Sequence, residues 1–175
     1  MDLLALLFIF LAGILTKFAD MIADEGLQIR KIFSYAVGIV YGMLIAYVLV
    51  THPLLAPLGM AVVLSVLLAE KIDRKPHNIG IASMFLFLAI WGFPQIDMVL
   101  IAVFLAASLL DEAVSDLADR KRIKGIAGKI AEYRPVLEIT AFLVSLITWQ
   151  WIIFIGMLSF DVGYRLTTEL GKRFK

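Results

Sequence analysis

Six apolar stretches, each close to the length a helix needs to cross a lipid bilayer, run through this chain and leave room for little else. They cover about Leu3 to Phe18, Ile32 to Val50, Leu54 to Ala69 and Ile79 to Phe93; a fifth begins near Ile96 and turns polar at Asp111, and a sixth runs from Pro135 to Phe160. A helix needs about 20 apolar residues to cross hydrocarbon, with ~17 near the minimum. Backbone polar groups in lipid must be bonded within the protein, so runs of this kind are helical. Of the 175 residues 62% are hydrophobic, against about 45–50% in a soluble domain. The sequence therefore predicts an all-α, polytopic membrane helix bundle: a single integral membrane domain over residues 1–175 with six transmembrane helices. The third and fourth runs are short, so four full crossings plus a re-entrant helical pair is the alternative.

The breaks between runs carry ordinary stop signals. The first run continues as a more polar helix to Gly26, which suits a C-cap, and the second stops at Thr51-His52-Pro53. The third breaks at Lys75-Pro76-His77-Asn78, where Pro76 disfavours helix at Lys75 and puts His77 in a turn. Pro94 ends the fourth, and Pro135 fits the first turn of the last. The N-terminus has no basic stretch before its apolar run, so it reads as a retained helix rather than a cleaved leader. The absence of cysteine excludes disulfides, thiolate metal sites and cysteine nucleophiles.

Net charge is only +1, yet the bases are unevenly spread. Lys17, Arg30, Lys31, Lys71, Arg74, Lys75, Arg120, Lys121, Arg122, Lys124, Lys129 and Arg134 fall at the first, third and fifth connections. Arg165, Lys172, Arg173 and Lys175 follow the sixth run and so fall on the other face. The positive-inside rule makes the first face cytoplasmic and, with six crossings, leaves both termini outside a multi-pass cell-membrane protein.

Carboxylates gather on that same face. Asp20 and Asp24 close the first run, Glu70 and Asp73 the third, and Asp111, Glu112, Asp116 and Asp119 the fifth. Steps of three or four residues stack side chains on one side of a helix. Asp20, Asp24, Glu70, Asp73, Glu112 and Asp116 are the candidate ligands for a divalent cation such as Mg²⁺, which takes carboxylate oxygens. Lys17, Lys71 and Arg120 are the candidate groups for a substrate phosphate. No residue stands out as a nucleophile or general base. Salt-bridged helix ends at a membrane surface would look much the same.

Other features have plainer readings. Residues Arg120 to Arg134 alternate bases with apolar residues and suit an interfacial helix on anionic lipid. Nucleic-acid binding is excluded for want of a large basic surface with stacking aromatics. Glu138 pairs with Arg134 four residues earlier, Gln150 serves as interhelical glue, and Gly38 with Gly42 marks helix packing. Asp161, Tyr164 and Arg165 anchor the external exit of the sixth run.

The stretch from Asp111 to Arg120, DEAVSDLADR, resembles the aspartate-rich motifs of membrane CDP-alcohol phosphotransferases. It lacks their DGxxAR element and the glycine before the second aspartate pair. DMIADE, from Asp20 to Glu25, is similar to the DxxxD step of membrane prenyltransferases, which are much longer chains. The aspartate followed by bases after the first run resembles prepilin peptidases, whose GxGD is absent. Together these resemblances imply only that membrane acid pairs can serve Mg²⁺–phosphate chemistry. No family is assigned.

Three functions compete. A divalent-metal-dependent enzyme acting on a phosphorylated or diphosphorylated lipid comes first. A cation transporter or channel, built as a homo-oligomer around an acidic vestibule, comes second. A structural membrane protein without catalysis is the third. Membrane lipids are the expected partners of all three.

Overall fold

The computed structural model describes residues 2–23, 30–69, 75–119 and 135–172, with side chains at 75, 76, 118 and 119 left aside. Among the described residues every regular element is helical. The order is α1 (Leu3–Ala23), α2 (Ile32–Thr51), a 3₁₀ turn (Pro53–Leu55), α3 (Ala56–Leu68), α4 (Lys75–Trp91), α5 (Met98–Asp119), α6 (Pro135–Thr148) and α7 (Ile152–Lys172). Three helices are long and apolar enough to cross a membrane: α1, α2 and Met98–Leu117 of α5. The apolar stretches Pro53–Leu68, His77–Trp91 and Pro135–Thr148 are shorter.

Local chemistry sets most of the ends. Asp2 Oδ1 accepts the Leu4 N–H at 2.9 Å and opens α1. Asp97 Oδ1 accepts the N–H groups of Val99 at 2.9 Å and Leu100 at 3.1 Å, an N-cap for α5. Gly92, at φ +102°, donates its N–H to Leu88 O and closes α4 in the left-handed conformation glycine favours.

Two expectations fail here. First, α4 starts at Lys75, so His77 is helical rather than in a turn. Pro76 falls in the first helical turn, where a missing N–H costs nothing. Second, the sixth run is two helices. The chain breaks at Trp149, a non-glycine residue at φ +56°. Ser145 Oγ accepts the Phe154 N–H across this break at 3.1 Å, replacing a bond that a continuous helix would make. Gln150 is consequently exposed in a turn and is not buried glue.

That break changes the topology. Gly13 lies against Phe160 and Tyr164, Gly163 against Phe10 and Ile14, and Gly171 against Met21, so α1 and α7 run parallel. Parallel packing of α2 and α4 follows from Tyr41 beside His77 and Tyr47 beside Trp91. Asp2 meets His52 at 3.1 Å, so α1 begins where α2 ends. The C-terminal ends of α1, α3, α5 and α7 therefore share one end of the bundle with the N-terminal ends of α2, α4 and α6. The first and last described residues lie at opposite ends, not on one face, because the extra helix reverses the chain once more. Arg165 and Lys172 move with α7 to the Asp20 end.

The distribution of side chains is compatible with helix packing in lipid. Ala12, Ala19, Ala46, Ala56, Ala61 and Ala141 are fully buried, while Leu3, Ile32, Met98, Val99 and Ile147 are among the most exposed. Lipid-like surroundings remove the hydrophobic drive for large residues to turn inward, and small ones let backbones approach. A Cβ on Gly13 would strike the Phe160 carbonyl, and one on Gly163 the Phe10 carbonyl. Gly42 does the same for α2 and α4, meeting Gly80 O and Ser83 Oγ, so its expected packing role holds. The helices fall into two groups. α1 packs on α2 and α7, with α2 on α4, while α5 packs on α3 and α6; the α6–α7 hairpin links the groups.

Candidate functional site

At the shared polar end, four helices bring five side chains together. Lys17 and Asp20 come from α1, Tyr41 from α2, His77 from α4 and Tyr164 from α7. Asp20 Oδ1 lies 2.5 Å from His77 Nε2, and Asp20 Oδ2 accepts the Tyr164 hydroxyl at 2.9 Å. Tyr41 Oη lies 3.2 Å from His77 Nδ1 on the far side of the ring. Lys17 Nζ sits 5.4 Å from the centre of the Tyr164 ring, within cation–π range.

The local sequence explains the convergence. Asp20 and Lys17 are one turn apart on α1, so both face the same neighbours. Tyr41 is buried because Gly80, one turn past His77, has no Cβ; any side chain there would overlap the phenol ring. The side chains of Asp20 and His77 are 12% and 26% exposed, so the pair is sheltered yet within reach of solvent. With a neutral imidazole, one tautomer satisfies the chain: Tyr41 O–H donates to Nδ1, and Nε2–H donates to Asp20. Asp20 and His77 are also the two groups that could turn lone pairs toward an ion.

Asp111 of α5 does something else. Asp111, 1% exposed, accepts the N–H groups of Val136 at 3.0 Å and Leu137 at 2.7 Å. It caps α6 from another helix, so the buried carboxylate is paired with backbone donors. Glu112 is buried beside it and Asp116 is half-buried. Ser65 and Ser108 share a buried hydrogen bond of 2.5 Å that ties α3 to α5. Among the described residues, no three His, Asp or Glu side chains gather closely enough to share an ion.

Asp24, Glu70, Lys71, Asp73, Arg120, Arg134 and the Arg120–Arg134 stretch lie outside the described residues. Arg165 Nη2 is the described partner of Glu138 at 2.6 Å, with Asp161 at 3.8 Å. Asp161, Tyr164 and Arg165 therefore sit toward the Asp20 end rather than at an opposite exit. At the other end, Asp2 accepts from Leu4 N–H and faces His52, and these hold its carboxyl below the usual carboxylate range.

The sequence indicated Lys17 and Asp20 but not their partners. Pro76 points to a turn at His77, and Tyr41 and Tyr164 lie 36 residues from His77 and 144 from Asp20 respectively. A hint existed in Tyr41 and Gly42 as polar and small neighbours inside an apolar run. Comparison with protein-family models, curated proteins and solved structures finds no match to this chain.

Proposed function

We propose that the chain is a multi-pass protein of the cell membrane whose Asp20 end faces the cytoplasm and acts, with a divalent cation, on the phosphate of a phosphorylated or diphosphorylated lipid. One observation carries this reading: Lys17, Asp20, Tyr41, His77 and Tyr164 meet from four helices at the end of an otherwise apolar bundle. A lipid headgroup can reach such a place while its chains stay in the bilayer. Lys17 supplies positive charge to the phosphate, and Asp20 supplies a hard oxygen to the cation. Asp24, Glu70, Asp73, Glu112 and Asp116 are the further candidate ligands, and Lys71 and Arg120 the further phosphate contacts. With α7 parallel to α1, Arg165 and Lys172 join the basic connections at this end, which strengthens the cytoplasmic assignment.

The test is thermal unfolding in nanodiscs of phosphatidylcholine with and without phosphatidic acid, each with and without Mg²⁺ or Mn²⁺. A specific ligand at ~100 times its dissociation constant adds about 2.7 kcal/mol. Phosphatidic acid together with a divalent ion should raise the transition in the wild type, and Lys17→Ala should remove the lipid-dependent part. Equal transitions in both lipids would sink the reading.

Cation transport is the second reading. It is favoured by Glu112, 2% exposed within the candidate span Met98–Leu117. Ionisable groups in such spans mark ion paths. Cation flux into proteoliposomes that Glu112→Gln abolishes, without any phosphatidic acid response, would decide for it.

A further inference from the structure

The sequence supplied carboxylates for a cation; the fold adds an imidazole. Asp20 Oδ1 and His77 Nε2 meet at hydrogen-bonding distance, 2.5 Å, so the two groups already aim at a common point. Each group has its outer atom held by a phenol from another helix. Tyr164 donates to Asp20 Oδ2, and Tyr41 Oη faces His77 Nδ1. Metal-binding histidines are held in this way through the nitrogen that does not ligate, and ligating carboxylates are likewise hydrogen-bonded.

We propose that Asp20 and His77 bind a divalent transition ion of the manganese, cobalt and zinc class in preference to magnesium or calcium. When Nε2 turns its lone pair to the ion, the proton moves to Nδ1, which then donates to Tyr41 Oη in place of accepting from it. Bonds of ~2.1 Å at a right angle put the ligand atoms about 3 Å apart, so Oδ1 and Nε2 need separate by only ~0.5 Å. The imidazole sets the selectivity, since nitrogen donors suit later divalent metals and Mg²⁺ or Ca²⁺ sites are built of oxygen. Two protein ligands leave positions for water and for phosphate oxygens. Lys17 would repel the bare ion, yet a phosphate between them is attracted to both. That last point rests on the proposed lipid-phosphate function; the ion site itself does not.

The experiment uses the full chain in detergent with Mn²⁺ as the probe, read by electron paramagnetic resonance. The chain contains two histidines, His52 and His77, which simplifies assignment. Expected are one bound Mn²⁺, displacement by Zn²⁺, and no displacement by a hundredfold excess of Mg²⁺. Pulsed spectra of protein labelled with ¹⁵N-histidine should show nitrogen coupling in the wild type and in His52→Gln. His77→Gln should lose the coupling and weaken binding at least tenfold, and Tyr41→Phe should weaken it by about 10–100-fold.

The labelled wild type keeps the proposal testable even where His77→Gln does not fold. Absence of bound Mn²⁺, absence of nitrogen coupling, or equal displacement by Mg²⁺ would overturn the site. Binding that phosphatidic acid leaves unchanged would retain the site and remove the lipid-phosphate reading. A Lys17-dependent response to phosphatidic acid without nitrogen coupling would do the reverse.

Discussion

Asp20 and Asp111 occupy similar places in the sequence, each just where an apolar run turns polar, and the fold uses them in opposite ways. Asp111 accepts two backbone N–H groups of α6 and is sealed from solvent. Its partners are fixed by the chain path, and without them a helix N-terminus would be left bare at depth. Asp20 is met by side chains, an imidazole and a phenol, at a sheltered but not sealed site. Such partners can rearrange around a ligand. The α3–α5–α6 group thus uses its acid to hold the architecture, whereas the α1–α2–α4–α7 group surrounds its acid with side chains, as the proposed ion site requires.

This contrast can be broken by substitution. Asp111→Ala should produce the largest loss of stability, about 2–3 kcal/mol, because two charge-assisted bonds vanish at a buried helix end. Denaturant titration in mixed micelles measures it, and a loss no greater than that of Asp20→Ala would remove the distinction. Next comes Gly80→Val, which forces the Tyr41 ring aside and should cost about 1–3 kcal/mol. That variant should also weaken Mn²⁺ binding, since Tyr41 steadies His77; unchanged binding would show that the phenol is irrelevant to the site.

Ser108→Ala sharpens the comparison from the architectural side. Buried hydrogen bonds between membrane helices average about 0.6 kcal/mol, so a loss of that order is expected, with ion binding untouched. The smallest effect belongs to Asp2→Asn at the opposite end. The folded pKa of Asp2 is lowered, so its contribution is present above its unfolded value and is lost as pH falls through the folded one. The group is exposed, so the transition at pH 7 should move by no more than about a degree. A larger shift would mean that the Asp2–His52 contact does more than close the end of α1.

The helical class and most helix ends were legible because apolar runs and caps are local signals. Thr51-His52-Pro53 closes α2, Pro94 follows the end of α4 closely, and Pro135 opens α6. The break at Trp149 was not legible, since neither glycine nor proline stands there and the cap comes from Ser145, nine residues before Phe154. Missing that one turn placed Tyr164 and Arg165 at the wrong end of the bundle. Pro76 misled in another way: the rule against helix before proline gave way to proline's tolerance in a first turn. Lys17 and Asp20 could be read from spacing alone. Their partners required the parallel pairing of α1 with α7 and of α2 with α4, which no local pattern encodes.

The most direct test is Mn²⁺-dependent thermal unfolding of wild type, Asp20→Asn and Asp111→Asn side by side. The predicted result is a clear Mn²⁺-induced rise for the wild type. Asp20→Asn should keep a near-normal transition and lose the rise, while Asp111→Asn should unfold earlier and keep it. A rise that survives Asp20→Asn, or disappears with Asp111→Asn, would contradict the division of roles between the two halves.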